Sequence, residues 1–207
     1  MRFLRLILSD PNSPPHYPIT GIAVLNADIN RPAPGVVDFK VLYGAELTDS
    51  FEVLWDHCTE PTMLSHDYST AEPIAKLRLR WLGLSGRSAN PRAVFLGDRL
   101  PSFGAGISSL YELAALIGLP AEPPFGNDMP NSREKLLRCL LTSAALELLL
   151  MKNGRERMSA FLIDLCAGNG LEGPDQDIGR AFADQAIEQI RFIRWQPPSQ
   201  EYGEIEF

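Results

Sequence analysis

The chain has 207 residues, of which 45% are hydrophobic and 22% charged, and its formal net charge is −7. This composition is typical of a globular protein and excludes a fibrous or wholly disordered chain, while the length suffices for one large domain or two small ones. The negative charge argues against nucleic acid as a partner, because nucleic-acid binders neutralise phosphates with basic residues.

Neither a targeting segment nor a membrane span is expected. Arg2 and Arg5 interrupt the apolar run at the N-terminus, which is unlike a signal peptide. The most apolar stretch, residues 136–151, is too short to cross a bilayer. The three cysteines are scattered, as expected of reduced thiols: Cys58, Cys139 and Cys166. We therefore expect a soluble, cytoplasmic protein with no membrane partner.

The first half of the chain predicts strands and turns. Short apolar runs bounded by proline, glycine or asparagine predict strands at residues 3–8, 21–25, 36–42 and 93–96. Residues 76–82 alternate between apolar and basic side chains, which predicts a half-buried strand of an antiparallel sheet. The pattern of residues 51–55 fits a strand and a helical turn equally well.

The second half predicts four helices. The first ends at Gly118, the longest runs to residue 152 with a wide apolar band, the third follows Gly154, and the fourth spans about 176–195. Capping boxes mark the starts of the first two, at Ser109 with Glu112 and at Asn131 with Glu134.

These patterns predict an α+β fold in which a C-terminal layer of about four helices packs on an antiparallel sheet from the N-terminal half. The β-rich half comprises residues 1–105 and the helical half residues 106–196. No shift in composition separates the halves, so we expect one continuous domain. Residues 197–207 form an acidic tail.

A glycine-containing segment resembles the first motif of class I S-adenosylmethionine-dependent methyltransferases. There a strand ends in an acidic residue and a Gly-x-Gly loop, positions that Asp164, Gly168 and Gly170 would occupy beside the cofactor. Residues 6–17 are similar to the strand and Asp-Pro-Pro-Tyr loop of nucleobase amino-methyltransferases. The residues at the target amine would be Asp10, Pro14 and Tyr17. The resemblance implies an amino-methyltransferase of permuted motif order.

The periodicity of the same segment favours a helix instead. Met158, Phe161, Leu162, Leu165 and Cys166 have the spacing of one helical face. The glycines that follow would then only end the helix, since glycine adopts the left-handed conformation at little cost. We therefore expect no cofactor, and the methyltransferase remains the alternative function.

Other candidate sites lack the spacing that their chemistry requires. Asp56-His57-Cys58 and His66-Asp67 gather metal-ligating residue types, but without the spacing of a zinc site. The sequence contains no Gly-x-Ser-x-Gly motif and no histidine after His66, which argues against a serine hydrolase. We expect no metal and no catalytic residues; a metalloprotein using His57, Cys58 and His66 is the third interpretation.

The charges are segregated along the chain. The acidic segment, residues 28–72, has nine acids and only two bases, Arg31 and Lys40. The basic segment, residues 73–105, has six bases and one acid, Asp98. The two segments either pair across neighbouring strands, or leave an acidic patch able to attract a basic partner.

These observations favour an intracellular, non-catalytic protein-binding module of immunity or accessory-subunit type. Its expected partner is another protein with a basic surface. Trp55 lies within the acidic segment and is a natural anchor, because aromatic side chains dominate interface energies. The predicted binding residues are Asp49, Glu52, Trp55, Asp56 and Glu60.

Overall fold

The computed structural model describes residues 1–8, 19–43, 62–65, 93–103, 106–120 and 132–190. The five described strands are β1 (Arg2–Leu8), β2 (Ile19–Asp28), β3 (Gly35–Tyr43), β4 (Thr62–Leu64) and β5 (Ala93–Phe95). A 3₁₀ helix (Leu96–Phe103) follows β5 and leads to α1 (Leu110–Ile117), α2 (Arg133–Leu150), α3 (Gly154–Cys166) and α4 (Pro174–Ile190). The prediction of an α+β fold is thereby confirmed.

The strands form one sheet in the order β3-β2-β1-β4-β5. The pairs β1–β2 and β2–β3 are antiparallel, as predicted. The pairs β1–β4 and β4–β5 are parallel, so the sheet is mixed rather than purely antiparallel. The central strand β1 buries the consecutive residues Phe3 and Leu4, as strands do in parallel sheets that are covered on both faces.

The main core lies between one face of the sheet and the helices. Phe3 and Leu25 of the strands belong to the same buried cluster as Leu137 and Leu141 of α2. On the other face, Leu4 pairs with Val24 in register, and both side chains are buried. Both faces of the central strands are therefore shielded from solvent.

The caps of the first two described helices largely match the sequence prediction. The Ser109 side chain accepts a hydrogen bond from the backbone N–H of Glu112 (3.0 Å), and Gly118 ends α1 in the left-handed conformation, with φ of 77°. At α2 the cap is Ser132, which accepts from the N–H of Lys135 (3.3 Å), not the predicted Asn131.

The segment that resembles a methyltransferase motif is helical. Residues 154–166 form α3, which buries Met158, Phe161, Leu162 and Leu165, as its periodicity predicted. Helix α4 begins at Pro174, two residues before the predicted start, because proline suits the first turn of a helix.

Several sequence predictions lie outside the described residues. These are the alternating strand at 76–82, the ambiguous stretch at 51–55 and the acidic tail at 197–207. Strand β4, in contrast, is described but was not predicted, because three residues are too few to show a periodicity.

Candidate functional site

The five predicted binding residues all lie outside the described part of the chain, in the connection between β3 and β4. The ends of that connection are described. Since β3 and β4 both run parallel to β1, Tyr43 at the end of β3 and Thr62 at the start of β4 lie at opposite ends of the sheet.

Both bases of the acidic segment form ion pairs within the β2–β3 hairpin. Arg31 Nε lies 2.5 Å from Asp28 Oδ2, and Lys40 Nζ lies 2.8 Å from Asp38 Oδ2. Asn26 Nδ2 also donates to Asp38 Oδ1 at 2.5 Å. Partial burial alone would raise the pKa of Asp38, but the hydrogen bonds from Lys40 and Asn26 lower it below its ordinary value.

The acidic segment therefore has two parts, the charge-balanced residues 28–43 of the hairpin and the residues 44–72 that follow it. The hairpin's own two acids are matched by its own two bases, and the remaining seven acids fall within residues 44–72, which contain no lysine or arginine. We call residues 44–72 the acid-only stretch; its acids are Glu46, Asp49, Glu52, Asp56, Glu60, Asp67 and Glu72.

The ion pair of one base of the basic segment can be compared with the expectation that the acidic and basic segments pair with each other. Arg99 is the only one of the six bases within the described residues. Its Nη2 lies 3.5 Å from Glu147 Oε1, a carboxylate of α2. At this position the charge of the basic segment is thus balanced by the helical half.

The Arg99–Glu147 pair is itself unusual, because it is largely buried and incompletely hydrogen-bonded. Within the described structure, Glu147 Oε2 and Arg99 Nε are buried and have no hydrogen-bond partner. Burial raises the pKa of the Glu147 carboxyl group, and the positive charge of Arg99 opposes this shift only in part. Glu147 is consequently a carboxylate that is costly to ionise in the folded protein.

A second buried cation lies in the centre of the sheet. Arg5 of β1 is fully buried, and its Nη1 donates to the backbone oxygen of Ser65 (2.6 Å) and to Cys139 Sγ of α2 (3.2 Å). Ser65 follows β4 directly, and its N–H donates to Leu4 O. Arg5 therefore fixes α2 to the end of β4, a role that sequence patterns did not reveal.

The glycine turn after α3 packs closely against the protein itself. A side chain at Gly170 would collide with the backbone of Val36, and one at Gly168 would meet the side chains of Gln176 and Arg180. Gln176 Nε2 also donates to Gly168 O at 2.6 Å. The glycines therefore end a helix that packs against β3 and α4, and they do not follow a strand as the methyltransferase motif requires.

The Asp164 of this segment also has a local structural role. Its Oδ1 accepts a hydrogen bond from Asn169 Nδ2 at 2.7 Å, and its carboxylate lies against Gly35 at the start of β3. Asp164, Gly168 and Gly170 are thus brought together, but as the end of a helix.

The described ranges contain neither a metal-binding cluster nor a membrane-spanning helix. No group of three or more His, Cys, Asp or Glu side chains there could hold a metal ion; His57, Cys58 and His66 lie outside those ranges. No helix among the described residues is long and apolar enough to cross a membrane.

Comparison with known proteins identifies no relative of this chain. No protein-family model, curated protein or solved structure matches it.

Proposed function

We propose that this protein is an intracellular, non-catalytic module that binds a basic surface of another protein through its acid-only stretch. The binding residues in this proposal are Asp49, Glu52, Asp56 and Glu60, with Trp55 as the apolar anchor. In this proposal the protein is either an accessory subunit or an immunity-type inhibitor.

The observation that carries the proposal is the internal pairing of the three described bases of the acidic and basic segments. Arg31 and Lys40 are engaged by Asp28 and Asp38, and Arg99 is engaged by Glu147. These three bases are therefore not the ones that neutralise the acid-only stretch.

Carboxylates close in sequence to an aromatic residue suit the recognition of a cationic surface. Such a patch accelerates association by about 10- to 1,000-fold, and the gain falls as salt screens the charges. A central tryptophan supplies apolar contact area that electrostatic attraction alone does not provide. The methyltransferase alternative is not proposed, since the segment that resembles its motif is the helix α3 and not a strand.

The proposal is tested by affinity capture with matched charge variants. The immobilised full chain is compared with a variant in which Asp49, Glu52, Asp56 and Glu60 are replaced by lysine. Capture is performed at about 50 mM and about 300 mM salt. The control variant has the same change in net charge, at four exposed acids of the helical half: Glu156, Glu172, Asp177 and Glu188.

We expect a specific basic protein to be retained at low salt by the native chain and by the control variant, and lost from the first variant. Capture that survives reversal of all four acids would contradict the proposal, as would the absence of any specific partner.

The proposed role of Trp55 as the apolar anchor is tested separately, by tryptophan fluorescence. In the Trp81→Phe/Trp195→Phe variant, Trp55 is the only tryptophan. Its fluorescence should shift to shorter wavelength when the captured partner is added, because binding would remove the indole from water. An unchanged spectrum at saturating partner would exclude Trp55 from the interface.

A further inference from the structure

Strand β3 lies at one end of the sheet that the described strands form. It pairs with β2 on one side, and no other strand in the described ranges pairs with it. The strand is nine residues long. A long edge strand offers unpaired N–H and C=O groups to a strand of another molecule.

Two apolar side chains of β3 are exposed, and so is one of α3. Val37 and Tyr43 of β3 are 60% and 51% exposed. Ile163 of α3 is 63% exposed and adjoins Asp164, which contacts Gly35 at the start of β3. These are three of the five exposed large hydrophobic residues among the described ones.

The charges of β3 are complementary to those of a second, antiparallel copy of the strand. Asp38 and Lys40 are two residues apart, so they share one face of the sheet; their ladder neighbours Asn26 and Val24 do as well. In a symmetric antiparallel pair, two residues that face each other must lie on the same face of the sheet. Their residue numbers must therefore differ by an even number, which means that the two-fold axis passes through a residue.

The charges then select among these registers. When Phe39 lies on the two-fold axis, Asp38 faces Lys40 of the second copy, and Lys40 faces its Asp38. A two-fold axis through Asp38 or through Lys40 would instead oppose two like charges, which destabilises a strand pair.

We propose that a second copy of this chain pairs with the outer edge of β3, antiparallel and with Phe39 on the two-fold axis, so that the two sheets become continuous. This arrangement brings Tyr43 of the second copy to the Gly35 end of β3, where Ile163 is exposed. It uses no residue of the acid-only stretch and is independent of the proposed function.

The Asp38–Lys40 ion pair within one chain does not prevent these residues from pairing with a second copy. The Asp38 and Lys40 side chains are 34% and 63% exposed, and exposed ion pairs contribute little to stability. The same two charges can therefore re-pair between copies at little cost. The bulge at Val37, which has no partner in β2, limits the regular ladder on that side, so we expect a concentration-dependent dimer.

Sedimentation velocity with charge-swapped variants tests the register. The native full chain should form more dimer as its concentration rises, and Asp38→Lys or Lys40→Asp should each weaken dimerisation by about tenfold or more. The Asp38→Lys/Lys40→Asp double variant should restore it, because the two charges are again complementary. Glu188→Lys on the distant α4 is the control and should change nothing.

The Asp38→Lys variant separates this proposal from general charge repulsion. It makes the net charge less negative, so repulsion alone would predict tighter association, whereas the register predicts weaker association. Circular dichroism establishes that each variant is folded. A native chain that stays monomeric at all concentrations, or single variants that dimerise as well as the native chain, would overturn the proposal.

Disulfide trapping tests the register directly. Opposed residues of an antiparallel pair have Cα atoms about 4.5–5.5 Å apart, within reach of a disulfide. A mixture of the Asp38→Cys and Lys40→Cys chains should therefore form a mixed disulfide on mild oxidation, and mass spectrometry of the joined peptides identifies it. Preferential joining of Asp38→Cys to itself would overturn the register.

Discussion

Gly170 holds the end of α3 against the start of β3. Its φ of 74° lies in the left-handed region, and a Cβ atom would overlap the backbone of Val36. We predict that Gly170→Ala lowers the free energy of unfolding by about 2–5 kcal/mol, from backbone strain and overpacking together. Urea denaturation of the two proteins measures this difference.

Gly173 provides the matched control for this prediction. It also has a positive φ, 55°, but no atom lies within 4 Å of the position that its Cβ would occupy. Gly173→Ala should therefore cost only the backbone term, about 1–2 kcal/mol. Equal losses in the two variants would mean that the contact of Gly170 with Val36 is unimportant.

Glu147 makes the stability of the protein depend on pH. Burial raises the pKa of its carboxyl group in the folded state, with Arg99 opposing the shift. The folded chain therefore holds this proton more tightly than the unfolded chain, so the associated stability is complete below the ordinary carboxyl pKa of about 4.3 and is lost as pH rises through the raised value.

Replacing Glu147 with glutamine removes this titration. We predict that the free energy of unfolding of Glu147→Gln, relative to the native chain, increases as the pH rises from about 4 and levels off once the pH exceeds the raised pKa of Glu147. Denaturation curves at a series of pH values measure it. Glu134→Gln, at an exposed position of the same helix, controls for the general loss of one carboxylate, and parallel pH curves for Glu147→Gln and the native chain would contradict the prediction.

Individual polar residues show where sequence patterns fail. Arg5 interrupts an apolar strand, and from sequence alone it argued only against a signal peptide. Its burial depends on Ser65 and Cys139, which are 60 and 134 residues away, so no local pattern could reveal it. The glycines after α3 were predictable, since the helical spacing of Phe161 and Leu165 precedes them.

At the scale of elements, one ion pair joins the starts of two helices. Arg133 of α2 donates from Nε and Nη2 to the two carboxylate oxygens of Asp175 in α4, at 2.8 and 2.7 Å. The guanidinium also lies 4.8 Å from the ring centroid of Phe39 in β3. The pair thus connects both helices to the sheet.

A double-mutant cycle measures the strength of this connection. With Arg133→Met, Asp175→Asn and the double variant, we predict a coupling energy of about 1–2 kcal/mol, because the pair is bidentate and Asp175 is buried. The control cycle uses Arg138 and Glu134, whose contact of 3.1 Å lies within one helix and should give about 0.3–0.5 kcal/mol. Similar values in both cycles would show that the Arg133–Asp175 pair adds no special stability.

Helices were more predictable than sheet pairing for a physical reason. A helix is set by neighbours three and four residues apart, so the capping box at Ser109 and the leucine band of α2 were sufficient. The parallel pairing of β1 with β4 joins Arg2 to Thr62, and contacts at that separation leave no periodic signal. The sheet was therefore predicted as antiparallel, which holds only for β1, β2 and β3.

At the scale of the whole molecule, the proposed binding site is predicted from charge segregation. The β2–β3 hairpin balances its own charges, which sequence alone could not decide, because the ion pair of Asp28 with Arg31 is a feature of the folded turn. The five proposed binding residues follow from the distribution of charge in the sequence, and the charge variants of the capture experiment test the four acids among them.

The two halves of the chain share one core, which has a measurable consequence. Leu141 of α2 is fully buried in the same cluster as Phe3 and Leu25 of the sheet. We predict a single cooperative unfolding transition. In the Trp195→Phe variant, both remaining tryptophans belong to the β-rich half, so fluorescence follows that half while circular dichroism at the helical band follows the other.

The two signals should give the same denaturation midpoint, since loss of either layer exposes the other's apolar face. Leu141→Ala should lower both midpoints together, with a loss of about 2–5 kcal/mol, whereas Leu116→Ala, at an exposed position of α1, should change stability by no more than about 0.5 kcal/mol. If Leu141→Ala moved only the helical signal, the sheet would be stable without the helices, and the core would join two separately folding units.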